Sequence, residues 1–322
     1  MAHRRLEALL ATGGVTLCGV LAGRPERARA LAERFGGAPV FEDVDDMTAA
    51  RPDAVLVEVP HDVQDAIALA VVGAGAHVLI GGPLATTASA GRALAAAARS
   101  RGVVVEAGFE ARYKRVWETA KELIAAETLG RLVAADAVAL WAADPASWYY
   151  DEDASAGMPL THMTYCFVNP LRWLLGEPDG VMAVANSVVH AGGRFVREET
   201  CAALLRFSPG LPVSLVAGYV KSAEHDSWRV TLRGTAATLE LLPSETGPGS
   251  LRVLRGEAAE ARVFAPGEDG FAAQARAFVE AVGGAGACRN TPRDALGDLT
   301  VVEAIRRSAR EGAFVPISAA PR

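Results

Sequence analysis

The first third of the chain alternates short apolar runs with helical segments, and this alternation limits the possible folds more than any other feature. Residues 15–21, 54–59, 76–80 and 103–107 are apolar runs with the length of buried strands. Helical patterns separate them at residues 25–35, 62–73 and 88–100. A strand–helix–strand repeat of this kind predicts a parallel sheet with helices on both faces.

The alternation changes after about residue 112. A helix over 117–126, a strand over 132–141 and a helix over 157–176 are followed by closely spaced strand patterns. These patterns lie at 181–188, 200–207, 212–220, 228–233, 238–242 and 251–254, and helices over 271–282 and 294–311 complete the chain. We therefore predict two domains, residues 1–112 and 113–322, the second an α+β domain with a large, mainly antiparallel sheet.

Composition and charge exclude several classes of function. The 322 residues are long enough for two domains with real cores. A net charge of -6, without a basic cluster, argues against nucleic acid as a partner. The longest apolar run, residues 66–76, is broken by glycine and too short to span a membrane. The four cysteines show no paired spacing, which is typical of a protein of the reducing cytoplasm without structural zinc or disulfides.

The segment 157–176 carries unusual chemistry for a core helix. His162, Cys166, Asn169 and Trp173 follow one another at helical spacing, so they share one face. Cys166 would serve as a proton donor, or as a thiolate if His162 lowered its pKa. The same two residues supply at most two ligands for a soft metal, and we identify no metal site. The alternative is a small buried cysteine beside a hydrogen-bonded core histidine. Pro170 predicts a kink in this helix.

The order and spacing of several short motifs are similar to those of a known family. They are Pro52-Asp53-Ala54-Val55 before a strand ending at Pro60, Gly75-Ala76-His77-Val78-Leu79 before Gly81-Gly82-Pro83, Phe109-Glu110-Ala111-Arg112-Tyr113, and the tail from Asp294 to Gly312. Together with the 157–176 helix, they resemble the glucose–fructose oxidoreductase/inositol dehydrogenase (Gfo/Idh/MocA) family. The resemblance implies a Rossmann-type domain, NAD or NADP, and hydride transfer on a sugar, cyclitol or related hydroxy compound. It also implies a homo-oligomer formed through the antiparallel sheet.

The start of the chain departs from that family. Residues 3–10 already read as the helix that follows the family's first strand and its G-x-G-x-x-G turn, which cradles the dinucleotide pyrophosphate. We therefore predict a doubly wound parallel sheet that lacks its first strand, and weak binding of NAD(P)H by this chain. A start site assigned too late, a truncated chain and a genuine loss are the three interpretations.

The positions that bind the cofactor in the family also differ. The resemblance assigns Gly23, Arg24, Pro60, Gly82 and Pro83 to cofactor binding. Gly82 stands where the family has a lysine, and glycine can neither donate a charge-assisted hydrogen bond nor stabilise negative charge. Arg24 stands near the family's ribose-binding acid. It would face a 2′-phosphate and favour NADP over NAD, or else be a solvated arginine.

The family's catalytic helix is changed as well. Its Asp, His and Asp align with His162, Cys166 and Asn169, so His162, Cys166 and the neighbouring Tyr165 are the candidate proton carriers. Arg112 and Asn169 are candidate substrate ligands, although Arg112 would equally tie the domains together.

Further polar residues complete the predicted site, and the function remains open among three classes. His61 and Gln64, at the start of a predicted helix, would cap it or contact a ligand, or else be surface polar residues, which is the interpretation we favour. Glu110, His190, His225 and Trp228 are further candidates for the substrate side. The classes are a divergent oxidoreductase, a degenerate member that binds a ligand or partner, and a non-redox catalyst in the inherited cleft.

Overall fold

The computed structural model describes residues 2–142, 144, 146–157, 160–189, 198–225, 227–244 and 247–318, for residues 160–166 and 225 the backbone alone. In this part of the chain, no helix combines the length and apolar character needed to cross a membrane.

The N-terminal half contains a small parallel sheet. Its strands are β1 (Ala54–Val57), β2 (His77–Ile80) and β3 (Val105–Ala107), in the order β1-β2-β3. Both strand pairs are parallel and in continuous register. The predicted parallel sheet without its first strand is therefore confirmed.

The predicted strand over residues 15–21 is wrong. Its only ladder contact among the described residues is a parallel bridge between Val20 and Val40. In the doubly wound order, the first strand lies between this segment and the strand corresponding to β1. Without that neighbour, the segment has hydrogen-bond partners on one side only, and those partners are confined to Val20.

Helices cover both faces of the parallel sheet. They are α1 (Ala2–Leu10), α3 (Val44–Ala49), α4 (His61–Ala74) and α5 (Ala88–Arg101), whereas α2 (Pro25–Arg34) packs on residues 17–22. The Thr87 side chain caps α5 by accepting a hydrogen bond from the Ala90 amide. Gly75 and Gly102 end α4 and α5 in the left-handed conformation. These ends bring the chain back toward the sheet after each helix.

The second part of the chain is built on a large mixed sheet. Its nine strands lie in the order β11-β10-β9-β8-β4-β7-β6-β5-β12, and all pairs are antiparallel except β4 with β7. Their bounds are β4 (Leu132–Trp141), β5 (Pro178–Asn186), β6 (Thr200–Phe207), β7 (Leu211–Tyr219), β8 (Ser227–Gly234), β9 (Thr238–Leu242), β10 (Ser250–Arg255), β11 (Ala258–Val263) and β12 (Val315–Pro316). The predicted, mainly antiparallel sheet is confirmed, and the prediction missed β11 and β12.

Helices α6 (Arg115–Ala125), α8 (Leu160–Leu175) and α10 (Pro292–Glu311) pack on this sheet. Helices α7 (Glu152–Ser155) and α9 (Phe271–Val282) pack against α4 and α1 of the first half. The predicted helix over 157–176 is α8, which runs through Pro170 and stops before Gly176, whose φ is 90°. The core under the sheet contains Trp117, Phe167 and Leu171.

The two sheets are held together by the last helices. Ala295, Leu299 and Val302 of α10 are buried in the core of the parallel sheet, while Ile305 of the same helix belongs to the core of the large sheet. Phe278 of α9 packs with Leu9 of α1. The domain boundary predicted after residue 112 falls within the 3-10 helix Glu110–Tyr113 and stays a prediction.

Candidate active site

A cavity opens where the carboxyl ends of β1 and β2 face the large sheet. Glu58, His61 and Gly82 line it from the parallel sheet, and Trp117, Phe167 and Trp228 line it from the second half. Ligands of open α/β sheets bind outside the carboxyl ends of the strands. An apolar wall with a few polar groups is typical of a small-molecule site.

A buried arginine from α1 organises one wall of the cavity. Arg5 is 4% exposed, although it lies in a helix that begins the described chain. Its guanidinium donates to Glu58 at 2.7 Å, to Gln274 at 2.6 Å and to Glu110 at 3.2 Å. Burial raises the pKa of Glu58, and the charge of Arg5 opposes that rise. Arg5 therefore links α1, β1 and α9 at the cavity.

Lys114 completes the charge balance of this wall. Its ammonium lies 3.1 Å from Glu110 and donates to the Ser244 carbonyl at 2.8 Å. Burial raises the pKa of Glu110, but Lys114 and Arg5 outweigh it and hold that pKa below its usual value. Two cations thus face two carboxylates, so the wall carries no net formal charge.

The side chain of Glu58 explains why the first residue of the Gly81-Gly82-Pro83 turn is glycine. A Cβ atom at Gly81 would lie 2.1 Å from Cδ of Glu58, so the carboxylate occupies the space of a side chain at residue 81. At Gly82 the nearest atom to such a Cβ is His61 Nε2, at 3.6 Å, an ordinary contact. The backbone of this turn therefore has room for a side chain at residue 82 and none at residue 81.

His61 and Gln64 lie inside the protein, and the expectation that they are surface residues is wrong. They are 3% and 2% exposed. Gln64 donates to the Pro83 carbonyl at 2.8 Å, and His61 Nδ1 lies 2.8 Å from the Ser155 carbonyl. Both residues begin α4, directly after the carboxyl end of β1. This position turns their side chains toward the Gly82 turn and α7.

The predicted cofactor-binding residues fall in two places. Gly82 lines the cavity, Pro83 follows it in the same turn, and Pro60 is the N-cap residue of α4. Gly23 and Arg24 are exposed, directly before α2, and neither lines this cavity. The roles of all five in cofactor binding stay predictions.

Arg112 and Asn169 lie beside the cavity, in a buried network. Arg112 Nε donates to the Asn169 side-chain oxygen at 3.1 Å, and Asn169 donates to Asp298 Oδ2 at 2.7 Å. Asp298 also pairs with Arg172. Neither predicted substrate ligand lines the cavity. This geometry favours the alternative that Arg112 ties the two halves together, and the substrate role stays a prediction.

The candidate proton carriers His162, Cys166 and Tyr165 lie in the first half of α8. Their side chains are outside the described residues, as are His190 and the side chain of His225. Their roles therefore stay predictions. Glu110 and Trp228, two further candidates for the substrate side, do line the cavity. Among the described residues, no group of three His, Cys, Asp or Glu side chains is placed to hold a metal ion.

Several cavity residues were missed by the sequence analysis. Glu58 had a usable signal, because a carboxylate inside an apolar strand is rare unless it is paired. Trp148 and Tyr149 lie in a 3-10 helix that comes after the long strand β4. No repeating pattern of apolar residues singles them out in the sequence. Arg5 looked like any helical arginine, and only the packing of α1 against β1 and α9 buries it.

A three-stranded parallel sheet joined to a large, mainly antiparallel sheet, with a cavity at the junction, defines a two-domain α/β protein. Comparison with family models agrees in both halves. Residues 1–109 match the model described as "Oxidoreductase family, NAD-binding Rossmann fold". Residues 121–317 match "Oxidoreductase family, C-terminal alpha/beta domain". The chain belongs to the Gfo/Idh/MocA oxidoreductase family.

Individual relatives act on sugars. The chain is 30% identical over 324 residues to dTDP-3,4-didehydro-2,6-dideoxy-alpha-D-glucose 3-reductase of Streptomyces antibioticus, covering 96% of this chain and 93% of that protein. It is 26% identical to D-glucoside 3-dehydrogenase of Escherichia coli, over 60% of this chain and 55% of that protein.

Solved structures show the same fold. Aldose-aldose oxidoreductase from Caulobacter crescentus, complexed with glycerol, matches with a TM-score of 0.84 at 25% identity, over 94% of this chain and 92% of that one. Levoglucosan dehydrogenase, solved with NADH and levoglucosan, matches with a TM-score of 0.88 at 18% identity, over 99% of this chain and 97% of that one.

The described residues fit the nicotinamide end of a dinucleotide but not its pyrophosphate. The cavity has open space over Gly82 and an aromatic wall, which suit a flat nicotinamide ring beside a sugar. A pyrophosphate requires backbone N–H groups from a glycine-rich turn at a helix N-terminus. The first glycines of the chain, Gly13 and Gly14, come after α1. The described residues therefore do not supply a pyrophosphate cradle.

Proposed function

We propose that this protein catalyses the interconversion of a hydroxyl and a carbonyl group on a sugar-type, polyhydroxylated compound, with NAD or NADP as the hydride carrier. The observation that carries the proposal is the position of the cavity, at the carboxyl ends of β1 and β2 and walled by both halves of the chain. Family membership and the sugar-specific relatives support the same reaction class.

The cavity walls suit a compound with both apolar and polar faces. The rings of Trp117, Phe167 and Trp228 offer apolar surface to the C–H face of a sugar. On the opposite side, Glu58 and Glu110 offer carboxylate oxygens that accept hydrogen bonds from hydroxyls. Because their charges are balanced by Arg5 and Lys114, the wall favours a neutral polyol over an anion.

Trp228→Ala tests this placement. We expect it to raise the KM for the best sugar substrate at least about tenfold, because a stacking surface is removed. A panel of sugars and cyclitols, followed by nicotinamide absorbance, identifies that substrate. Trp173→Ala is the control, since Trp173 packs under Lys121 away from the cavity. An equal effect of both substitutions, or no turnover of any compound even at high NAD(P)(H) concentration, would contradict the proposal.

The cofactor side gives a separate expectation. The 322-residue chain should bind NADPH weakly in calorimetry, because its described residues form no glycine-rich turn that donates to the pyrophosphate. A chimera with a strand and glycine-rich turn placed before Ala2 should bind it more tightly. In that chimera we expect a preference for NADPH over NADH that Arg24→Ala removes. Tight binding by the parent would show that the glycine-rich turn is dispensable.

A second candidate function rests on two departures from the family pattern. Gly82 cannot supply the charge of a lysine, and the described residues hold no pyrophosphate cradle. Both favour a protein that binds a polyol or a partner without redox chemistry. Sugar binding in calorimetry, with no nicotinamide-linked turnover in parent or chimera, would establish this alternative. Turnover without a change in nicotinamide absorbance would instead indicate a non-redox catalyst.

We also propose that two copies associate through the outer face of the large sheet. Met182 and Val184 of β5 and Leu204 of β6 are 39%, 62% and 53% exposed, and Met182 pairs directly with Leu204 across the two strands. Contiguous aliphatic surface of this kind is typical of an interface.

Leu204→Glu should therefore convert a dimer to a monomer in light scattering, because it buries a charge in that interface. Val263→Glu is the control, since Val263 is 81% exposed on β11, toward the other edge of the sheet. A monomeric parent would refute the proposed association.

A further inference from the structure

The cavity holds a histidine whose tautomer is set by the fold. His61 Nδ1 lies 2.8 Å from the Ser155 carbonyl oxygen, which can only accept a hydrogen bond. Nδ1 therefore carries the hydrogen, and Nε2 of the neutral ring keeps its lone pair. Among the described residues, no hydrogen bond reaches Nε2.

The ring is also held in position. Trp148 packs against it in a T-shaped contact, at a centroid distance of 5.1 Å and an interplanar angle of 72°. Gln64, one turn along α4, is tied to the Pro83 carbonyl. Burial lowers the pKa of His61 below its usual value, although the bond to Ser155 opposes that change. Burial therefore favours the neutral imidazole, the form in which Nε2 can accept a proton.

Nε2 faces the space that the glycine turn leaves open. A Cβ built at Gly82 would lie 3.6 Å from this nitrogen, and both residues line the cavity. Hence an atom bound over Gly82 meets the lone pair of His61. The two cations of the cavity are less suited to exchange a proton, because Arg5 and Lys114 are each paired with carboxylates.

We propose that Nε2 of His61 accepts the hydrogen of the substrate's reacting hydroxyl. The proposal rests on the proposed function. On oxidation, the hydroxyl proton moves to Nε2 and the C–O bond becomes a carbonyl. NAD(P)⁺, if bound beside the substrate, would supply the acceptor for the C–H hydrogen and its electron pair. The imidazolium then loses its proton to solvent, and reduction reverses each transfer. Asp62 and Asp65, on the same helix, stabilise the transient imidazolium.

His61→Gln tests the assignment, because glutamine retains a donor for Ser155 and has no basic nitrogen. We expect kcat to fall about 100-fold or more, the usual contribution of a general base, with KM changed only a few fold. The exposed His3→Gln is the control. His162→Gln and Cys166→Ala test the competing candidates. An unchanged kcat in His61→Gln, with a large loss in either of those two variants, would overturn the proposal.

A spectroscopic measurement tests the contact without turnover. In protein labelled with ¹⁵N-histidine, His61 should show a protonated Nδ1 and an unprotonated Nε2. Adding the best sugar of the panel, or levoglucosan if none is turned over, should shift the Nε2 signal. Gly82→Ala should weaken both that shift and the activity, because its methyl group fills the space before Nε2.

Turnover and the Nε2 signal together distinguish a failure of the proposed function from a failure of the role of His61. An Nε2 shift without nicotinamide-linked turnover would overturn the proposed function and leave His61 as the hydroxyl acceptor. Turnover without an Nε2 shift, or a shift that Gly82→Ala leaves unchanged, would overturn the role of His61 and leave the proposed function standing. An unprotonated Nδ1 would also overturn that role.

Discussion

Asp298→Ala is expected to lower the free energy of unfolding by about 3–5 kcal/mol, the cost of removing one partner of a buried ion pair. Asp298 is fully buried in α10, where it accepts hydrogen bonds from Arg172 and Asn169. Removing the carboxylate leaves the buried Arg172 guanidinium with a smaller set of acceptors. Urea unfolding followed by circular dichroism measures the change.

The control uses the same arginine. Glu177 accepts two hydrogen bonds from Arg172, at 2.7 and 2.6 Å, but its side chain is 57% exposed. Water replaces an exposed carboxylate, so Glu177→Ala should cost at most about 1 kcal/mol. Equal losses in the two variants would show that burial of Asp298 does not determine the stability of this network.

Gly108→Ala is expected to cost about 3 kcal/mol or more, because a side chain there overpacks against backbone that cannot move aside. Gly108 follows β3, and its amide donates to the Gly82 carbonyl at 3.0 Å. A Cβ at this position would lie 1.9 Å from the Ile80 carbonyl oxygen and 2.8 Å from Gly81 Cα. The substitution should therefore separate β3 from β2 and displace the glycine turn that lines the cavity.

Gly82→Ala is the matched control in the same turn. Its nearest contact is the His61 ring at 3.6 Å, so it should change the free energy of unfolding by less than about 1 kcal/mol. Thermal unfolding of both variants measures the difference. A stable Gly108→Ala protein would show that the ends of β2 and β3 separate more easily than their close contact indicates.

The two expectations concern the same cavity from different sides. The Asp298 network joins α8 and α10 to Arg112. The chain after Arg112 continues into α6, which carries Trp117 of the aromatic wall. The close approach at Gly108 positions the turn that faces His61. A small shift of either side changes the distance between the aromatic wall and the imidazole.

The local pattern of apolar residues was sufficient to predict most elements of the fold. Strands β1, β2 and β4 and helix α1 were predicted because their apolar spacing and length leave few alternatives. The incomplete parallel sheet followed from residues 3–10, which read as a helix without a strand before it. The strand predicted at 15–21 failed for the same reason, since a buried apolar run forms a ladder only when a partner is available.

The site depended on contacts between distant residues. His61 looked like a surface residue until α7 supplied the Ser155 carbonyl, 94 positions along the chain. Arg5 is buried because Glu58, Glu110 and Gln274 converge on it from three elements. The sequence by itself determined the family and the two sheets, because these follow from the order and type of neighbouring residues. The tertiary structure alone decided which polar groups meet at the cavity and which nitrogen of His61 is free to accept a proton, because both depend on how separate segments pack.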